Sequence, residues 1–136
     1  MKYLGIDFGT KKVGLAFGIK GDGLSQSAIP IGTIVLKDWD GAVSDIVAVM
    51  LEYNVSCIVL GNPKDQKDND TQISADIKKF KRFLELRIKK PVVLYNERLS
   101  TKDSIDYIKE TGDNKYDLDS VSAAFILERY FDSLEN

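Results

Sequence analysis

The chain has 136 residues, 43% hydrophobic and 29% charged, a balance expected of one soluble globular domain over residues 1–136 with a real core and no room for a second. It contains no histidine, which excludes Ser-His-Asp triads, His-ligated zinc and imidazole acid–base catalysis. A net charge of −2 argues against a generally basic nucleic-acid coat, although 19 Lys and Arg leave room for a local basic face.

Tyr3 to Phe8 are rich in apolar residues and predict a central strand. Val13 to Ile19 predict a second, after a very short turn, and Gly21-Asp22-Gly23 is turn chemistry. The β-branched run Ile29 to Leu36 predicts a third, and the two close turns imply an antiparallel meander. From Asp38 to Tyr53 the pattern turns helical, with Ala42, Ile46, Met50 and Tyr53 on one face and Asp38 or Asp40 as cap. Ser56 to Leu60 are a short continuous apolar run stopped by Gly61-Asn62-Pro63, as in a buried parallel strand. Cys57 within it reads as a buried thiol. The polar stretch Lys64 to Asp70 is expected to be a mobile loop.

Asp70 or Thr71 is expected to open a long helix whose core face is Ile73, Ile77, Phe80, Leu84 and Ile88, ended by Pro91. Lys78, Lys79, Lys81 and Arg82 read as its solvent side. Val92 to Tyr95 predict the last strand. Thr101, Ile105 and Ile108 mark a further helix stopped by Gly112, and Leu118 to Phe131 predict the final one. No segment approaches the roughly 18 apolar residues of a membrane span, so a cytoplasmic protein is expected.

The order β-β-β-α-β-α-β-α-α predicts an α/β fold: one mixed five-stranded sheet with helices on both faces. Ligands in such sheets sit at the carboxyl ends of the parallel strands. Asp7 near the end of the first strand, Asn62 after the fourth and Glu97 after the fifth are therefore expected to converge on one edge.

Asp7 is the most informative of these. A carboxylate in an apolar strand costs several kcal/mol unless compensated. A metal ion would compensate it, as would phosphate chemistry at the turn Gly9-Thr10-Lys11-Lys12, where backbone N–H groups and lysines suit an anion. Glu97 directly follows a buried strand and so faces the crevice. Asp119 opens the last helix, where capping and chemistry are both open readings. The small residues Ser120, Ser122, Ala123 and Ala124 allow that helix to come close to the sheet and to bring Asp119 to the other carboxylates. Three carboxylates together need a cation between them, and oxygen-only ligands favour Mg²⁺ or Mn²⁺. Such ions equip a site for in-line attack on a phosphodiester.

Ile6-Asp7-Phe8-Gly9, Lys12-Val13-Gly14-Leu15-Ala16, Val59-Leu60-Gly61-Asn62-Pro63, Glu97-Arg98-Leu99-Ser100-Thr101 and Leu118-Asp119-Ser120-Val121-Ser122-Ala123-Ala124 resemble, in order, the motifs of the YqgF (RuvX) family. These bacterial RNase H-like proteins are described as nucleases maturing the 5′ end of pre-16S ribosomal RNA and, earlier, as Holliday junction resolvases. The resemblance spans essentially the whole chain. It implies an RNase H-like fold and a catalytic, metal-binding triad of Asp7, Glu97 and Asp119 with Mg²⁺ or Mn²⁺. The implied partner is pre-rRNA, including on the nascent ribosomal subunit, with branched DNA as the alternative. Lys11, Lys12, Asn62, Arg98 and Lys102 are the expected substrate contacts.

The chain departs from the family pattern in having Asn96 where Asp is usual and Lys12 where Arg is common. It also has Asp113-Asn114-Lys115-Tyr116-Asp117 in place of a basic run, which weakens nucleic-acid contact there. A catalytically weak nucleic-acid-binding regulator is the alternative of another class. With no dimer seam legible, a monomer or weak homodimer is expected.

Overall fold

The computed structural model describes residues 1–21, 26–97 and 118–135. Among the described residues eight elements follow one another: β1 (Lys2–Phe8), β2 (Lys12–Ile19), β3 (Ser27–Val35), α1 (Trp39–Tyr53), β4 (Cys57–Pro63), α2 (Ser74–Arg87), β5 (Val92–Glu97) and α3 (Leu118–Ser133). The strands form one five-stranded sheet in the order β3-β2-β1-β4-β5. β1 pairs antiparallel with β2, and β2 with β3, while β1–β4 and β4–β5 are parallel. This is the mixed sheet that the sequence predicts. The helix expected around Thr101 to Ile108 lies outside the described residues.

Strand alternation builds two cores. Leu4, Ile6 and Phe8 of β1 point to one face, where Ile58 and Leu60 join Ala42, Ile46 and Met50 of α1 and Ile77, Phe80 and Leu84 of α2. Tyr3 points to the other face, with Ala16, Cys57 and Val59, beneath Ala123, Ala124, Leu127 and Phe131 of α3. Helices thus cover both faces. Cys57 is buried as expected, and burial pushes its thiol pKa up, which suits packing rather than reactivity.

Local chemistry fixes the boundaries. Asp38 caps α1 by accepting the Gly41 N–H at 2.6 Å, and Asn54 ends it in the left-handed region at φ 55°. β3 carries Pro30 on the sheet's edge and bulges against β2 between Leu15 and Ala16, next to Gly32 at φ 144°.

Several boundaries differ from expectation: β5 runs two residues past Tyr95 to include Glu97, and β4 and α2 differ as well. β4 runs on through Gly61-Asn62-Pro63, because β5 supplies a parallel partner as far as Glu97 and satisfies backbone groups that turn chemistry would leave open. α2 begins at Ser74 rather than at Asp70 or Thr71. Ser74 Oγ accepts the Thr71 N–H at 2.9 Å, while Asp70 accepts from Lys64 and Lys78, each at 2.6 Å. These two lysines hold the Asp70 carboxyl well below the usual carboxylate range. Polar contacts also tie the stretch Lys64 to Asp70 together. Lys64 and Asp70 form a bridge across it, and the Asp65 carboxylate accepts the N–H groups of Lys67 and Asn69 at 2.9 Å.

Candidate active site at the carboxyl edge of the sheet

Asp7 is the second-last residue of β1 and lies on the face covered by α3. Its cross-strand partner is Gly14. A Cβ at Gly14 would stand 2.0 Å from the Asp119 carbonyl oxygen, so only glycine lets the first turn of α3 rest on the sheet beside Asp7. Added Cβ atoms at Gly5, Gly18 and Gly61 would likewise meet atoms of Leu127, Phe131 and Ile126 within 3 Å. The close approach expected from the small residues of α3 is therefore matched by glycines in the strands.

This approach brings Asp7 and Asp119 together. Burial, and then the neighbouring Asp119 charge, raise the Asp7 carboxyl to a pKa of about 6. Two carboxylates set against each other at a half-buried position suit a hard cation, which would relieve both desolvation and repulsion.

Glu97, the last residue of β5, also lies on the α3 face and is buried. The parallel registers align Ile6 with Leu60 and Pro63 with Glu97, so Glu97 lies two strands across and two residues further along than Asp7. With strand spacings of about 4.8 Å and a rise of about 3.3 Å, their backbones stand roughly 12 Å apart. Side chains leaning inward could close that gap. In this structure Glu97 instead accepts an ion-paired hydrogen bond from Arg129 of α3, with Nη1 to Oε1 at 3.1 Å. Among the described residues, no three Asp, Glu or Cys side chains gather closely enough to hold an ion. The all-oxygen chemistry of the Asp7–Asp119 pair suits Mg²⁺ or Mn²⁺, while Glu97, on the same face, is ion-paired with Arg129.

The expected substrate contacts divide. Lys11, in the turn after Phe8, and Lys12, the first residue of β2, are exposed at the same sheet edge, where the Gly9 N–H donates to the Lys12 carbonyl at 2.9 Å. Asn62 is fully buried on the opposite face, one position on from Gly61. There its Nδ2 donates to Asn96 Oδ1 at 3.0 Å and to Asp70 Oδ1 at 3.4 Å. Asn62 thus stands at the same carboxyl edge as Asp7 and Glu97, as expected, but strand alternation turns its side chain to the opposite face. Arg98 and Lys102 lie outside the described residues. Arg129 was not anticipated, because nothing in the linear pattern ties it to Glu97, 32 residues earlier. The strand glycines did carry a signal, since glycine is disfavoured in strand interiors unless a backbone comes close.

Residues 1–133 match the family model described as RuvX, Holliday junction resolvase. A relative from Legionella pneumophila is 33% identical over 98% of this chain and 96% of its own length. One from Lachnospira eligens is 34% identical over 98% of both chains. Each carries the name "Putative pre-16S rRNA nuclease". Among solved structures, the fowlpox virus resolvase in complex with Holliday junction DNA superposes with a TM-score of 0.66 at 18% identity, over the whole of both chains. Thermus thermophilus RuvC superposes with a TM-score of 0.62 at 11% identity, over 99% of this chain and 97% of that one. The fold is the RNase H-like fold of these resolvases.

Proposed function

The chain belongs to the RuvX family, and from that premise we propose that it is a divalent-metal-dependent endonuclease that trims the 5′ end of pre-16S rRNA during ribosome biogenesis. The observation that carries the reading is the forced pairing of Asp7 and Asp119 at the carboxyl edge of the sheet. Two acids are held together there against their own repulsion, which is the preparation for a cation.

In this reading Asp7, Asp119 and Glu97 hold Mg²⁺ or Mn²⁺. Such an ion, if held there, would supply Lewis-acid chemistry for hydrolysis of a phosphodiester. Lys11 and Lys12 at the same edge grip a neighbouring phosphate, and Arg98 and Lys102 are proposed to continue that path. Asn62 supports the edge from the other face by fixing Asn96, the residue before Glu97. The protein is then a cytoplasmic single domain acting as a monomer or weak homodimer. Among the described residues, no helix is long and apolar enough to cross a membrane.

Cleavage of a pre-16S rRNA fragment and of a four-way DNA junction, each with Mg²⁺, Mn²⁺ or EDTA, tests the proposal. We expect ion-dependent cleavage of the RNA. We also expect Asp7→Asn, Glu97→Gln and Asp119→Asn each to lower the rate by about a hundredfold or more. Preferential cleavage of the junction would move the reading to the branched-DNA chemistry in the family's description. Ion-dependent binding without cleavage of either substrate would make the protein a regulator.

A further inference from the structure

The ion pair between Glu97 and Arg129 joins two unequal partners. The Glu97 side chain is 6% exposed and that of Arg129 is 41% exposed. A carboxylate so deeply buried is costly without a counter-charge, and the guanidinium supplies it. Arg129 is itself tied down on the far side of the site. It lies ten residues after Asp119, about 15 Å further along the helix. Its carbonyl accepts the Tyr95 hydroxyl at 3.4 Å, and Tyr130 packs edge-on against Tyr95 with ring centroids 5.8 Å apart. Glu97, Arg129 and Tyr95 line a cleft of about 290 Å³ together with Asp132 and Ser133. Glu97 is therefore drawn into this cleft, while the charge acting on Asp7 is that of Asp119.

We propose that Arg129 is a positioning residue that stores Glu97 away from the Asp7–Asp119 pair, and that a divalent ion binds by partner exchange, taking Glu97 from the guanidinium. The inference rests on the metal-site reading above and adds a competitor to it. Arg129 keeps the buried acid neutralised while no ion is bound, and the same contact must be broken when the ion arrives. The affinity for the ion is thereby set partly by a residue that does not touch it.

Mn²⁺ binding to the full chain, followed by calorimetry and by the electron paramagnetic resonance of free Mn²⁺, tests the exchange without any activity readout. Arg129→Gln should bind Mn²⁺ about fivefold more tightly, the upper range measured for solvent-exposed ion pairs. Arg129→Lys keeps the charge but loses the planar fork, and should fall between the two. In a Glu97→Gln background the gain from Arg129→Gln should largely vanish, because the arginine acts through that carboxylate. Unchanged or weaker binding in Arg129→Gln, or an undiminished gain in the Glu97→Gln background, overturns the exchange. Weaker binding in Asp7→Asn combined with unchanged binding in Glu97→Gln overturns the exchange and leaves the Asp7–Asp119 site standing. No loss of binding in either variant overturns the metal site and the exchange with it.

Discussion

At the scale of the residue, Asp7 makes the protein's stability depend on pH in a direction that can be worked out. Its carboxyl titrates near 3.8 when exposed and near 6 in the fold. Between those values the native state holds a proton that the unfolded chain has released. Stability without metal must therefore fall as pH rises from about 4 to about 6, then level off. The whole effect is roughly 3 kcal/mol. Asp7→Asn removes it. In EDTA at pH 7.5 the variant should melt higher than the wild type, and its melting temperature should change less across the window. Added Mg²⁺ should stabilise the wild type and leave the variant unmoved. A variant that melts lower in EDTA would show that the Asp7 charge serves the fold rather than the ion. Asp7 was legible in the sequence because a charge in an apolar strand demands a reason. Asn62 was legible as a residue at the sheet edge and not as to its face, since one position of strand register decides the face and the strand's true end lay beyond the turn signal. Arg129 was not legible at all, because its partner is found only when α3 is laid across β5.

At the scale of the element, α3 and the strand floor beneath it form one device, and glycine substitutions separate its two functions. Gly14→Ala places a methyl group against the Asp119 carbonyl, so the start of the helix must lift. Overpacking of this kind costs about 1–3 kcal/mol, and here it also separates Asp119 from Asp7. Gly32→Ala meets no atom within 4 Å, and its φ of 144° makes it a backbone penalty alone, of about 1 kcal/mol or more. Both variants should melt lower. Only Gly14→Ala should lose most of its Mn²⁺ affinity, as read by calorimetry. Equal ion affinity in the two would mean that the helix start does not set the pair. The elements themselves were well announced by periodicity: each described strand and helix lies where the hydrophobic pattern puts it. The misplaced ends of β4 and α2 have one cause. Gly61-Asn62-Pro63 and Asp70-Thr71 carry turn and cap chemistry that neighbouring strands and lysines put to other use.

At the scale of the whole molecule, an acidic chain is proposed to bind a polyanion, and the charge balance limits how. With a net charge of −2, long-range attraction is weak and the contacts with phosphate must be few and local. Each phosphate neutralised contributes roughly 0.7 to 0.9 of a unit to the slope of log affinity against log salt. Lys11 and Lys12 stand exposed at the site's edge, and Arg98 and Lys102 are the proposed continuation. Together these imply a shallow slope of about 2 to 4. Structured RNA is read mainly through its backbone and 2′-hydroxyls, so base changes that preserve the fold of the substrate should matter little. The measurement is binding of a pre-16S rRNA fragment across a KCl series in Ca²⁺, chosen to fill the site without supporting cleavage. Lys11→Ala with Lys12→Ala should lower the slope by one to two units, and Arg98→Ala with Lys102→Ala should do the same. A slope near zero, or one indifferent to both pairs, would place the path of the nucleic acid elsewhere on the molecule, away from the edge where Asp7 and Asp119 meet.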